Sequence, residues 1–209
     1  MAAPGSFAPP TLESGDRLTP EESDRIYAQC GETGKAELID GVVYVASPVR
    51  IGVHARPHGR LGAVLHYYAD SRPGVLAFSD GSVLFEDGSR VQPDIAVYWN
   101  ADRPGTAREN EDDYLEGPPE LVPEIAGSSV SIDLHGKFRV YERNGVKEYI
   151  VWRTRDRAID FFRLLDGRFV RVEPDNDGVF ESAVFPGLRI STQHLLEGDT
   201  PGAIAALKL

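Results

Sequence analysis

Val91–Trp99 reads VQPDIAVYW and Leu121–Tyr141 reads LVPEIAGSSVSIDLHGKFRVY, and these two segments decide the fold. Each opens with a short apolar run of strand length that contains one acid, Asp94 in the first and Glu124 in the second. Behind the second run, Ser131 or Asp133 can cap a helix that ends near Asn144-Gly145. Asp133, Lys137 and Tyr141 then fall at i, i+4 and i+8 on one stripe of that helix, with Phe138 and Tyr141 anchoring it to the sheet. Pro93 cannot donate to a sheet ladder, which puts it at a strand start, a bulge or an edge. Asp94 therefore stands where the backbone is irregular and a side chain can be aimed outward.

Two acids on neighbouring strands with a lysine over them suit a divalent metal held against a phosphodiester. Mg²⁺ takes hard oxygen ligands and keeps several waters, so two carboxylates, Asp94 and Glu124, with the Ile125 carbonyl suffice to hold it. Mn²⁺ suits the same donors. An ammonium within reach, that of Lys137, orients the attacking water and offsets charge on the phosphate.

Outward from this core, residues 1–18 are rich in Pro, Gly and Ser and read as a flexible lead-in. In TPEESDRIYAQC, Thr19, Pro20 and Glu22 have the spacing of a capped helix start. KAELIDGVVYVASP is a hairpin turned at Asp40-Gly41, with Glu37 either its polar face or a third carboxylate near the metal. Leu61, Val64, Leu65 and Tyr68 mark a helix with Pro57 in its first turn. Arg50, His54, Arg56, His58, Arg60 and His66 cluster in and before that helix, as a DNA-facing set or as wet helix surface. Residues 75–99 read as a three-stranded antiparallel meander, and Asn100–Pro119 as a mobile acidic loop. KEYIVW, AIDFFRLL and RFVRVE supply a strand and a hairpin turned at Asp166-Gly167. SAVFPGLRISTQHLLEG adds a short strand and one or two helical turns, and residues 198–209 are expected to fray.

At 209 residues and 41% hydrophobic, the chain has the size of one domain, placed at residues 19–197. No apolar run approaches the ~20 residues of a membrane span, and the N-terminus lacks the regions of a secretory signal. One cysteine, Cys30, excludes intrachain disulfides and thiolate clusters. The expectation is a soluble cytoplasmic protein with no membrane partner. A net charge of −11 argues against a nucleic-acid partner, yet residues 135–171 hold ten Lys and Arg against five acids. A carboxylate metal site adds to the acidic count and attracts phosphate once filled.

The residues now quoted resemble a known pattern. Pro93-Asp94 followed by Glu124 on the next apolar strand is similar to the PD-(D/E)XK nuclease superfamily, although the position two after Glu124 is Ala126 where that pattern has lysine. One branch, the Uma-two type identified with restriction endonucleases, resembles residues 19–197 in TPEES, ELIDGVVYVASP, the histidine after Ser-Pro, QPD, the acid strand, DLHGKFRVY, NGVKEYIVW and PGLRI. The resemblance implies an α+β (α/β) fold, a restriction-endonuclease-like mixed sheet flanked by helices, with extra hairpins. It implies metal ligation by Asp94 and Glu124, a relocated catalytic lysine at Lys137, and Glu37 as a further site acid. His54, Arg56, Arg139 and Tyr141 are the expected substrate contacts, and DNA the substrate. A homodimer is expected because cutting two strands calls for two sites. Two departures stand out: Ile125–Val130 replaces the branch's Val-Leu-Ser-Pro-Ser-Thr, which loosens the loop before the helix, and Arg153 replaces an aspartate. The other reading is a non-catalytic binding or assembly module that kept the fold.

Overall fold

The computed structural model describes residues 11–29, 35–100 and 107–209; Cys30 lies outside them. Helix α1 (Pro20–Gln29) starts on a reciprocal cap, with the Thr19 amide donating to Glu22 Oε2 at 2.9 Å and the Glu22 amide donating to Thr19 Oγ1 at 3.2 Å. Strands β1 (Ala36–Ile39) and β2 (Val42–Val45) pair across Asp40 and Gly41, both at positive φ, the geometry a two-residue hairpin demands. A π turn (Ile51–Ala55) feeds α2 (Arg56–Asp70), with Pro57 in its first turn. Strands β3 (Val75–Ser79), β4 (Val83–Leu84), β5 (Arg90–Val91), β6 (Ile95–Trp99), β7 (Arg108–Glu109), β8 (Leu115–Glu116) and β9 (Leu121–Ala126) follow. A second π turn (Ile132–Lys137) runs into α3 (Phe138–Asn144), closed by Gly145 in the left-handed region. The chain ends with β10 (Glu148–Arg153), β11 (Ala158–Leu165), β12 (Arg168–Val172), β13 (Val179–Glu181), β14 (Arg189–Ser191), α4 (Thr192–Glu197) and α5 (Thr200–Ala205).

The central sheet has the order β12-β11-β10-β9-β6-β3 and is antiparallel except between β9 and β10. That parallel pair needs a crossover, and the π turn with α3 provides it. A second mixed sheet, β2-β1-β5-β4-β8-β7, and the pair β13-β14 complete the α+β architecture. Alternation along the central strands assigns the two faces. Ile95, Val97, Leu121, Ile125, Ile150 and Trp152 point to a core shared with α2, α4 and α5. Tyr98, Val122, Ala126, Tyr149 and Val151 point to a second core shared with α3 and the second sheet. Glu124 and Asp94 have the parity of this second face, so both acids are turned towards α3 and β1.

Several expectations change. The meander over residues 75–99 is split: β3 and β6 pair in the central sheet, while β4 and β5 leave it to pair with β8 and β1 in the second. Residues 11–18 are not a free lead-in, because Gly15 donates to the Val43 carbonyl, Leu18 to that of Gly41, and Asp16 accepts from Val43. The loop after Asn100 is partly built: residues 101–106 lie outside the described set, but β7 and β8 pair and Ala107 and Leu115 are buried. Residues 198–209 do not fray. Asp199 caps α5 by accepting from Gly202 at 3.0 Å, Ala203 is buried against α2, and the Lys208 amide donates to Gly187. Apolar spacing in Ala203, Ile204 and Leu207 is what seats this tail. Among the described residues no helix is long and apolar enough to cross a membrane.

Candidate active site

Glu124 comes from the middle of β9 and is 2% exposed. Its Oε1 accepts from Lys137 Nζ at 2.9 Å and from the Tyr141 hydroxyl at 2.8 Å. Lys137, 4% exposed, also lies 2.8 Å from Glu37 Oε1, which in turn accepts from the Gln92 amide at 2.7 Å. Asp94 sits one residue ahead of β6, where Pro93 has ended the ladder. Its Oδ2 accepts from the Ile125 amide at 2.7 Å, and its Oδ1 faces Lys35 Nζ at 3.2 Å and His54 Nε2 at 3.4 Å. The Asp94 amide points at Glu124 Oε2 from 3.5 Å, so each acid lies against the main chain at the other's position.

Helical spacing explains how two groups of one segment reach one acid. Lys137 and Tyr141 are one turn apart on α3 and its approach, and both meet Glu124. Asp133 is buried on the same stripe and accepts from Ser129 Oγ at 2.5 Å. The Ser129 carbonyl accepts from Ile132 and Asp133, so the loop after Ala126 is tied down and not loosened by its unusual sequence. A Cβ on Gly127 would stand 2.8 Å from the Val53 carbonyl, so only glycine lets the end of β9 approach the first π turn this closely. Thr154 Oγ1 donates to that same carbonyl at 2.7 Å. The turn so fixed presents His54, whose Nδ1 donates to the Ile125 carbonyl at 3.0 Å. Both π turns therefore lie at the acid cluster, where such widened turns commonly occur.

Burial and crowding set the ionisation. Burial pushes the Glu124 carboxyl up to about 8, with Asp94 and Asp133 adding to the rise against the pull of Lys137. Burial works against the Lys137 ammonium, yet Glu124 and Glu37 hold it well above its ordinary range. Asp94 is buried too, but His54, Lys35 and Lys137 keep it well below the usual carboxylate range. Its hydrogen bond to Asp94 lifts His54 above the ordinary imidazole value. With Nδ1 on a carbonyl, which only accepts, and Nε2 facing a carboxylate, both ring nitrogens carry protons.

The expected site residues divide cleanly. Asp94, Glu124, Glu37, Lys137, His54 and the Ile125 main chain converge. Tyr141 is no substrate contact: its side chain is fully buried and its hydroxyl is spent on Glu124. Arg139 is exposed and lies two residues past Lys137, on the opposite side of the helix. Arg56 is exposed at the start of α2, two residues after His54, and pairs with none of these acids. Lys35, His58 and Gln92 were not singled out as site residues from sequence. His58 Nε2 donates to the Asp94 carbonyl at 2.8 Å. Lys35 and Glu37 are an i, i+2 pair on one face, and that spacing was the available signal.

The donor set fits a hard cation. Asp94 and Glu124 offer adjacent carboxylates, and the Ile125 carbonyl has a second lone pair beside the one used by His54. Among the described residues no three His, Cys, Asp or Glu side chains are gathered for a metal, so two carboxylates and a carbonyl are the complement available.

A family model described as "Uma2: Putative restriction endonuclease" matches residues 20–193. The chain belongs to this family. A crystal structure of a "putative nuclease belonging to DUF820" from Anabaena variabilis shares the fold of this Uma2 chain, with a TM-score of 0.67 over 87% of the present chain and 98% of the other. Sequence identity to it is 16%, so the fold alone is common ground. No curated protein matches the Uma2 chain.

Proposed function

We propose that this Uma2 chain is a metal-dependent DNA endonuclease whose site is Asp94, Glu124, Glu37 and Lys137. The observation that carries the reading is a buried lysine 2.8–2.9 Å from two carboxylates, one of which lies against the third acid. Burying a cation with three acids costs several kcal/mol unless every group is paired, and an arrangement of this kind is a strong functional-site candidate. A bound Mg²⁺ or Mn²⁺ would supply Lewis acidity and make a bound water more acidic than bulk water. Asp94, Glu124 and the Ile125 carbonyl hold the ion, and Ile125 positions Asp94 by donating its amide to Oδ2. Lys137 keeps its proton and stabilises the charge that develops on the scissile phosphate. Tyr141 orients Glu124. The charged His54, with Lys35 on the same Asp94 oxygen, supplies positive potential for the phosphate backbone at the site of an otherwise acidic protein. Cutting both strands calls for a second site, so the active species is a homodimer, which sedimentation at working concentration checks.

The test is cleavage of supercoiled and single-stranded DNA with Mg²⁺, Mn²⁺ or EDTA, alongside Asp94→Ala and Lys137→Ala. Metal-dependent cutting lost in both variants is expected; cutting retained by Asp94→Ala sinks the assignment. One observation favours a binding module instead: Lys35, His54 and Lys137 already neutralise the acids. Titration with Mn²⁺ discriminates, since the module predicts no saturable site that depends on Glu124.

A further inference from the structure

Beside the acid cluster lies a cavity of about 430 Å³, within the range of small-ligand sites. Gln92 joins the two. Its main-chain N–H donates to Glu37, the partner of Lys137, while its side chain lines the cavity. Gln92 is more than nine-tenths buried, and its Nε2 donates to the Tyr27 hydroxyl at 2.8 Å and to Ser82 Oγ at 3.1 Å. With the amino side of the amide committed, Oε1 is left as a fixed acceptor.

The remaining walls have a consistent chemistry. Tyr27 from α1 and Tyr114 from the turn before β8 are two rings from separate elements, both on the cavity. Asp24 and Asp112 add carboxylates. Arg90 lines the cavity too, but its guanidinium is committed to Asp24 at 3.1 Å and to the carbonyls of Phe85 and Ser89. The cavity is thus rich in acceptors, carries aromatic faces and lacks an uncommitted cation among the described residues. It repels phosphate and suits a flat, neutral ring that bears hydrogen-bond donors.

We propose that this cavity receives an unstacked, amino-bearing nucleobase next to the phosphate held at the acid cluster. The inference rests on the nuclease reading and deepens it: Gln92 Oε1 and Asp112 accept from the exocyclic amine, and Tyr27 and Tyr114 line the space for its ring. Cytosine fits this wall and thymine does not, because the cytosine N4 amine is a donor where thymine has the O4 acceptor.

The test compares labelled single strands of cytosine or thymine with a plain duplex, by fluorescence anisotropy in Ca²⁺, using the full chain. The cytosine strand is expected to bind about tenfold more tightly than the thymine strand. Tyr114→Ala, at a partly exposed ring, is expected to weaken cytosine binding roughly tenfold, and Gln92→Met to abolish the preference between the two strands. A melting curve identifies any variant that fails to fold, and Tyr27→Phe, which releases the amide without removing the ring, then takes the place of Gln92→Met. Equal binding of the two strands that no variant alters overturns the pocket and leaves the nuclease reading standing. Duplex binding without single-strand binding does the same. Failure to bind any of the three DNAs removes the nuclease reading and the pocket with it.

Discussion

Replacing Lys137 by methionine separates what the lysine does for the fold from what it does for the chemistry. Its ammonium is 2.8 Å from Glu37 and 2.9 Å from Glu124, and all three side chains are at least nine-tenths buried. Methionine fills similar volume but leaves two carboxylates without their cation. Removing one partner of a buried ion pair costs about 3–5 kcal/mol, against a total stability on the order of 5–15 kcal/mol. Lys137→Met is therefore expected to fold, with a urea midpoint roughly 1–2.5 M lower at a slope of about 2–3 kcal/mol/M. Adding Glu37→Gln removes one orphaned charge while the new amide oxygen still accepts from the Gln92 N–H, so the double variant recovers part of the midpoint. Acid does the same to the single variant, because the orphaned carboxylates take up protons in the folded state and stability then rises as pH falls. Plasmid nicking is expected to be lost in both variants whatever the midpoint. An unchanged midpoint in Lys137→Met would refute the buried pairing. Nicking that returns with stability in the double variant would refute a chemical role for Lys137.

Other perturbations follow from the same contacts. Burial pushes the Asp133 carboxyl from its ordinary 3.8 up to about 6, so the folded state binds its proton more tightly; its stabilising contribution is fully present below 3.8 and is lost as pH rises through about 6. Asp133→Asn is expected to flatten that part of the stability–pH curve, read from urea midpoints between those values. Gly127→Ala forces a Cβ to within 2.8 Å of the Val53 carbonyl, and a loss of about 1–3 kcal/mol is expected, with cleavage reduced further because the turn carrying His54 must shift. Thermal melting and cleavage assays on one preparation check both halves. Removal of residues 200–209 uncovers the core side of α2 by stripping away Ala203, Ile204 and Leu207, and about 2–4 kcal/mol of stability should go with them. A truncated chain as stable as the full one would show that this helix only rests on the surface.

Much of this was legible because the signals were local. Thr19 and Glu22 form a cap from their spacing alone, and Asp40-Gly41 turns a hairpin because few other dipeptides reach positive φ at both positions. Lys137 and Tyr141 were placed together by helical periodicity, and they do meet on one acid. Periodicity says which groups share a face but not how deep that face lies. Tyr141 reads equally well as a groove residue or a buried one, and only the packing of Phe85 and Tyr149 against it decides for burial. The tail failed for a related reason: TPGAIAALKL has few large apolar groups, and what holds it is Asp199 capping and small residues seated against α2.

The groups that sequence reading missed share one property, which is that their partners are far along the chain. Lys35 reaches Asp94 across 59 residues, His58 reaches the Asp94 carbonyl across 36, and Gln92 reaches Tyr27 across 65. No periodicity spans such separations, because they are set by the sheet order in which β5 lies beside β1 and β6 beside β9. The same order makes the acid cluster a junction between the two sheets: Glu37 comes from the second, Glu124 from the central one, and Asp94 from the segment that crosses between them. Asp94 holds the junction by accepting from the Ile125 amide, and Lys137 holds it by bridging Glu37 to Glu124. A substitution at either residue therefore acts on the hinge between the sheets as well as on the chemistry. Stability must be measured beside activity for every site variant, and Glu37→Gln is the informative control, since it removes a charge while keeping the acceptor that ties β1 to Gln92.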